Sequence, residues 1–276
     1  MTISLPAIAI LGAGSMGAAI LNGLLQPGVD VDGRIRVTNR SAAKAGALAS
    51  DRVDSVAVET DPGANLDAVT GAGVVLLAVK PAMLPQLLRE IAPALGADAI
   101  VVSVAAGVTI ASMEALVPQV LLRAMPNTPA LVGEAVTGLS AGGRASASDV
   151  ALVRALFETV GRVLEVPESK IDALSTISGS GPAYVFLLIE ELSRTAVAMG
   201  FSEAEARVMV GGTFLGAAQL LESSGEAAAE LRRRVTSPGG TTERAIAVLQ
   251  EARLGELFDR ATAAALVRAK ELAAGD

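Results

Sequence analysis

The feature that most constrains this chain is the run Gly12-Ala13-Gly14-Ser15-Met16-Gly17, set between an apolar stretch and a helical pattern. Ala7–Leu11 reads as a buried strand, and Met16–Leu25 as the helix that follows it. In such a strand–turn–helix unit the first glycine makes the tight turn. The second lets the backbone approach a pyrophosphate, and the third lets helix and strand pack closely. The helix N-terminus then offers N–H groups and a positive dipole end to the phosphates. Gly12, Gly14, Ser15, Met16 and Gly17 are therefore candidate dinucleotide contacts. The bland alternative, a glycine-rich turn with no ligand, does not account for the flanking strand and helix.

The rest of the first half keeps alternating. Arg34–Asn39 reads as a strand with a helix from about Ala42, and Ser55–Val58 as a short, weaker strand. Val74–Val79 and Ala99–Val104 are uncharged, β-branched runs, followed by Val120–Ala124. Glu134–Ser140 and Arg162–Val166 extend the series. Strands separated by helical segments predict a mostly parallel, doubly wound sheet of the Rossmann kind. From about Pro167 helical spacing dominates, with breaks at Ser178–Pro182, near Gly200–Ser202, at Ser223–Gly225 and at Thr236–Gly240. The expected organisation is an α/β domain over 1–166 and an all-α domain over 167–276. Ser202 and Glu205 have the spacing of a capping box. Gly211-Gly212 inside a helical stretch weakens it by about 1 kcal/mol per glycine. Close approach of a second copy of the domain is the expected compensation.

Composition narrows the chemistry. Of 276 residues, 51% are hydrophobic, 2% are aromatic and none is Trp, so the core must be built from Ala, Val, Leu and Ile. A net charge of −7 argues against a nucleic-acid surface, and Arg232-Arg233-Arg234 reads as a helix face or active-site rim. The chain has no His and no Cys. That excludes a histidine acid, a zinc site of the alcohol dehydrogenase kind and a thiohemiacetal mechanism, and no metal site is expected. Residues 1–29 carry no charged side chain, but Pro6, Asn22, Gln26 and several glycines interrupt them. A membrane segment is not expected, and the cytoplasm is the expected compartment.

The strand over Arg34–Asn39 is followed by Arg40 and Ser41, with no carboxylate at its end. An acidic residue there would accept the ribose hydroxyls of NAD, whereas Arg40 can pair with a 2′-phosphate. Asn39 and Arg40 therefore favour NADPH, with NADH the weaker cofactor; a solvated helix cap is the alternative for Arg40. Val79-Lys80-Pro81 and Ser103–Gly107 end central strands at the edge where ligands bind in open sheets. Lys80 reads equally as a pocket residue or an ordinary strand-end charge. In the second half, Ser178–Tyr184 and Val235–Thr242 put small and hydroxyl residues before a helix start, an arrangement suited to a carboxylate.

These segments together resemble the Δ1-pyrroline-5-carboxylate reductase family over essentially the whole chain. The resemblance rests on Gly12–Gly17, Ala78-Val79-Lys80-Pro81, Ser103–Gly107, Arg123–Pro129, Ser178–Tyr184 and, most specifically, Val235–Thr242. One departure is Ala227-Ala228 where many members carry His-Pro, which bears on the Ser223–Glu230 connection. The resemblance implies NAD(P)H-dependent reduction of a cyclic imine to L-proline, the last step of proline biosynthesis. An imine that arrives protonated does not need a histidine acid. By the same resemblance Ser237, Gly239, Gly240 and Thr241 hold the substrate carboxylate. Thr242 bonds the ring nitrogen and is the candidate catalytic residue, by positioning and electrostatics. Ala78, Val79, Lys80, Pro81, Ala105, Ala106, Gly107 and Asn127 line the cofactor. A homodimer is implied as the smallest unit, with a larger ring of dimers as an extension.

Four rival readings turn on particular residues. A β-hydroxyacid dehydrogenase would use Lys170 as proton carrier, but Leu174 stands where a polar partner belongs. A ketol-acid reductoisomerase needs converging carboxylates, and Glu190-Glu191 are adjacent on one helix and diverge. A non-catalytic NADPH sensor has no use for the Ser237–Thr242 loop. A short-chain dehydrogenase is excluded, since Leu188 follows Tyr184 where a lysine is needed.

Overall fold

The computed structural model describes residues 2–274. In chain order its first part runs β1 (Ile3–Leu5), β2 (Ile8–Leu11), α1 (Ser15–Leu24), β3 (Val29–Val31), β4 (Ile35–Asn39), α2 (Ala42–Leu48) and β5 (Val53–Ala57). There follow α3 (Ala64–Val69), β6 (Val74–Leu77), α4 (Leu84–Ile91), β7 (Ile100–Ser103), α5 (Ile110–Glu114) and β8 (Val120–Met125). Next come β9 (Ala135–Ala141), α6 (Ala147–Glu158), β10 (Gly161–Glu165) and α7 (Ile171–Leu174). The remainder is helical: α8 (Gly181–Ala198), α9 (Glu203–Ser224), α10 (Ala228–Arg234), α11 (Thr241–Glu251) and α12 (Leu254–Ala274). Among the described residues, no helix is long and apolar enough to cross a membrane.

Eight strands form one sheet in the order β10-β9-β8-β7-β6-β2-β4-β5. All neighbours are parallel except β8 and β9, which run antiparallel. The sequence predicts this Rossmann sheet, and the fold has it. The separate two-stranded parallel sheet of β1 and β3 was not foreseen. Alternation along the strands divides the core between the two faces. Ile8, Ile10, Leu76, Val102 and Leu122 pack with Ile20 and Leu24 of α1 and with Val153, Leu156 and Phe157 of α6. Ala9, Leu11, Val75, Leu77, Val101 and Leu121 pack with residues of α3, α4 and α5. Helices therefore cover both faces, and uncharged runs such as Val74–Leu77 bury every residue.

From β2 the chain proceeds one way to β4 and β5, then returns to the other side of β2 for β6 to β8. The switch point lies between β2 and β6, whose Leu11 and Leu77 are in register. Ligands of open α/β sheets bind outside the carboxyl ends of strands at such a point.

One compact unit reaches to Ser180 and takes in the chain from Ala265 onward; the other is Gly181–Ala264. In the first, buried Arg123 on β8 donates to Asp172 at 2.6 Å and lies 3.6 Å from Glu168. Glu168 also accepts the Ile110 N–H at 2.7 Å, so Glu168 and Asp172 tie α7 and the turn before it to the sheet. Removing one partner of such a buried pair costs about 3–5 kcal/mol, because the other charge stays buried. In the second unit, α8 and α9 are joined through the capping box expected at Ser202. The Ser202 Oγ accepts from the Glu205 N–H at 3.3 Å, and Glu205 returns a bond to the Ser202 N–H at 2.8 Å. Those bonds to Ser202 hold the Glu205 carboxyl below its usual range. Gly225 closes α9 in the left-handed region, and α10 opens at an extended Ala227 with no side-chain cap.

Candidate functional site

The crevice at the switch point gathers the cofactor candidates of the first unit. After β2 the chain turns at Gly12, whose φ of 81° an L side chain rarely adopts. A Cβ at Gly12 would lie 2.5 Å from Val79 Cγ1, and one at Gly17 would lie 3.2 Å from the Ala78 Cβ. The loop after β2 therefore touches the loop after β6 with no room for a side chain. Gly12 and Ala13 both donate to the Thr38 carbonyl, at 3.0 and 3.1 Å, which binds the turn to the end of β4. Gly14 is the N-cap of α1 and brings no side-chain acceptor, so the first-turn N–H groups face outward without a helical partner.

Around this turn the other strand ends line up. Ala78 donates to the Leu11 carbonyl at 2.8 Å, and Val104 to the Leu77 carbonyl at 3.1 Å. The loop after β7 is set by Ser103, whose Oγ accepts the Ala105 N–H, and by Gly107 at positive φ. Lys80 is exposed and starts the turn into Pro81. At the far side Asn39 is buried, and its Nδ2 has no hydrogen-bond partner. Arg40, next along, is exposed and makes no ion pair among the described residues. A glycine cradle that a Cβ would fill, outward N–H groups, a buried unpaired amide and a free guanidinium fit a phosphorylated dinucleotide.

Asn127 is buried at the end of β8, but its side chain is engaged within the protein. Nδ2 donates to the Ser178 carbonyl at 2.9 Å, and Oδ1 accepts the Val136 N–H at 2.8 Å. The amide is a bracket between β9 and the segment ahead of α8. The expected helix break is there: Ser180 stands outside any helix and α8 starts at Gly181. Ser175–Gly179 is a π-helical turn, and the Ser180 N–H bonds the Ser175 carbonyl at 2.9 Å. The wider turn keeps the backbone bonded where an α-helix would stop.

The Val235–Thr242 loop belongs to the second unit. Arg232, Arg233 and Arg234 form the last turn of α10, as a helix face: Arg233 pairs with Glu230 at 2.6 Å and Arg234 with Glu226 at 2.7 Å. The Arg233 hydrogen bond holds the Glu230 carboxyl down to about 2. Thr236 caps that turn by donating its hydroxyl to the Arg232 carbonyl. The loop then folds back, with Gly239 at φ 72° and the Gly240 N–H on the Ser237 carbonyl at 3.0 Å. Gly240 is the N-cap of α11 and has no side-chain cap, leaving the first-turn N–H groups open beside the hydroxyls of Ser237, Thr241 and Thr242. A carboxylate already stands there, because Glu243 accepts the Gly239 N–H at 2.9 Å. Glu243 was not singled out from the sequence, where an exposed glutamate carries no signal.

Known proteins place the whole chain. Residues 168–272 match the model for pyrroline-5-carboxylate reductase dimerisation, and residues 7–107 that for coenzyme F420-dependent NADP oxidoreductase. A pyrroline-5-carboxylate reductase of Pseudomonas aeruginosa is 41% identical over 278 residues, covering 98% of each chain. The solved structure of a pyrroline-5-carboxylate reductase from Coxiella burnetii has a TM-score of 0.88 at 37% identity, over 96% of this chain and 97% of that one. The Plasmodium falciparum pyrroline carboxylate reductase, solved with NADP bound, gives 0.82 at 25% identity over 97% and 98%.

Proposed function

This chain belongs to the pyrroline-5-carboxylate reductase family, and from that premise we propose how its residues reduce L-Δ1-pyrroline-5-carboxylate to L-proline. It is an oxidoreductase acting on a CH–NH bond with a nicotinamide dinucleotide. When bound, the dinucleotide supplies the hydride that the imine carbon takes up.

The chain's own contribution is binding, orientation and charge. Gly12, Gly14 and Gly17, with the N–H groups of Ser15 and Met16, hold the pyrophosphate. Asn39 and Arg40 hold the adenosine ribose, and the free Arg40 supports a preference for NADPH over NADH. Ala78–Pro81 and Ala105–Gly107 wall the nicotinamide, while Asn127 acts on that wall through its bracket. Ser237, Gly239, Gly240 and Thr241 take the substrate carboxylate at the head of α11. Thr242 accepts the N–H of the iminium ring with its hydroxyl oxygen and fixes the ring's orientation. The proton that completes the amine arrives on the substrate as an iminium, so the lack of histidine is no obstacle. The exposed apolar faces of the helical unit support a homodimer, with a ring of dimers as the extended assembly, working in the cytoplasm.

The observation that carries this reading is the presence in one chain of both the Gly12–Gly17 cradle and the uncapped Ser237–Thr242 loop. Purified protein should oxidise NADPH, and more slowly NADH, when L-Δ1-pyrroline-5-carboxylate is added, with proline accumulating in step. Dinucleotide binding without turnover would overturn the proposal.

A further inference from the structure

Resting on the dinucleotide site just assigned, we infer that Glu59 sets how the chain divides its use between NADPH and NADH. Arg40 follows β4, and Glu59 follows β5, the strand paired with it in register from Ile35 and Val53 to Asn39 and Ala57. The two strand ends therefore bring a guanidinium and a carboxylate to one edge of the crevice. The Glu59 N–H donates to the Arg40 carbonyl at 3.2 Å, so the backbones touch. The side chains do not pair. Glu59 Oε1 accepts the Ala42 N–H at 2.7 Å, two residues beyond Arg40, and the guanidinium stays free.

This separation has a chemical meaning. A strand end that selects the unphosphorylated cofactor presents a carboxylate to the ribose 2′-hydroxyl, and β4 lacks one. Glu59 supplies it from the neighbouring strand. A 2′-phosphate meets the same carboxylate as a like charge, and it must turn Glu59 away before Ala42 and Arg40 can receive it. Nearby, the buried Asn39 Nδ2 lacks an acceptor within the protein, which marks this edge as incomplete without a ligand. Arg40 thus pulls toward NADPH and Glu59 toward NADH. Both are exposed, so neither is needed to complete the core.

Calorimetric titration of the full-length protein with NADPH and with NADH tests this without turnover. Glu59→Gln keeps an oxygen for the Ala42 N–H and removes only the charge. It should tighten NADPH about tenfold and weaken NADH a few-fold, roughly the effect of one partly screened charge. Adenosine 2′,5′-bisphosphate against AMP should show the same shift, because the contact lies at the adenosine end. An unchanged ratio of the two affinities, or equal loss of both, would reduce Glu59 to a cap of α2 and overturn the inference. Should the wild type bind neither dinucleotide, this inference and the site assignment fall together. A wild type that binds both but leaves pyrroline-5-carboxylate untouched sinks the reaction assignment and not this one.

Discussion

The sheet unit and the helical unit draw on the same aliphatic residues and bury them very differently. Fully buried apolar side chains run almost without interruption from Leu5 to Ile171, whereas the helical unit contributes only Ala196, Ala206 and Val210 to the buried apolar set among the described residues. Phe157 of α6 is 0% exposed, while Phe186 of α8 is 66% and Val208 of α9 is 75% exposed. A sheet covered by helices on both faces satisfies itself. The helices beyond Ser180 leave a broad apolar surface, and such surfaces mark interaction sites. Gly211 and Gly212 fit this contrast, because among the described residues nothing beyond their own stretch of helix comes within 4 Å of a Cβ built at either position.

The sharpest way to break the comparison is to truncate one phenylalanine in each region. Phe157→Ala should cost about 3–5 kcal/mol in denaturant unfolding, independently of protein concentration. Phe186→Ala should leave that unfolding nearly unchanged and shift the sedimentation-derived association constant instead. Equal stability losses with unaltered association would end the distinction. Next in size, Thr242→Ala should lower kcat on pyrroline-5-carboxylate by about a hundredfold, the range for a substrate that loses its exact placement. NADPH affinity, a property of the other unit, should not move; a parallel fall in both would show that the two sites are not separable. Arg40→Asp should shift the NADPH-to-NADH affinity ratio about tenfold toward NADH while kcat on the preferred substrate survives. The smallest effect concerns acid. With its carboxyl lowered from 4.5 to about 2, Glu230 favours the folded state above its ordinary range, and that contribution is lost as pH falls toward 2. Helical circular dichroism of wild type and Glu230→Gln should therefore differ near neutrality and converge in acid. A gap that persists at low pH would detach the effect from this carboxyl.

What was legible in the sequence followed physical periodicity. The uncharged runs at Ile8–Leu11, Val74–Leu77 and Ile100–Ser103 could only be strands covered on both faces, and Gly12 and Gly17 stand where a Cβ has no space. The short β1–β3 pairing was hidden because three-residue strands separated by a whole helix leave no pattern. The break at Ser178–Pro182 was legible from its small residues, and α8 starts within it, but the π-helical turn over Ser175–Gly179 that leads into it leaves no pattern. Asn127 itself was placed by position in a motif, which says nothing about whether an amide faces a ligand or its own protein. Glu59 and Glu243 were invisible because their meaning lies in backbone N–H groups, and those become addressable only once the chain has folded.

The Glu243 contact carries a consequence for selectivity against ordinary solutes. Gly239 already holds a carboxylate tethered four residues away, and a short tether gives an effective concentration on the order of millimolar or more. Chloride, acetate or inorganic phosphate arriving alone must outcompete that resident group with a single anchoring point. A cyclic imino acid brings its ring and nitrogen as well, and can displace the glutamate by contacts the small anions lack. On the proposed assignment, the loop would screen anions by competition with its own Glu243.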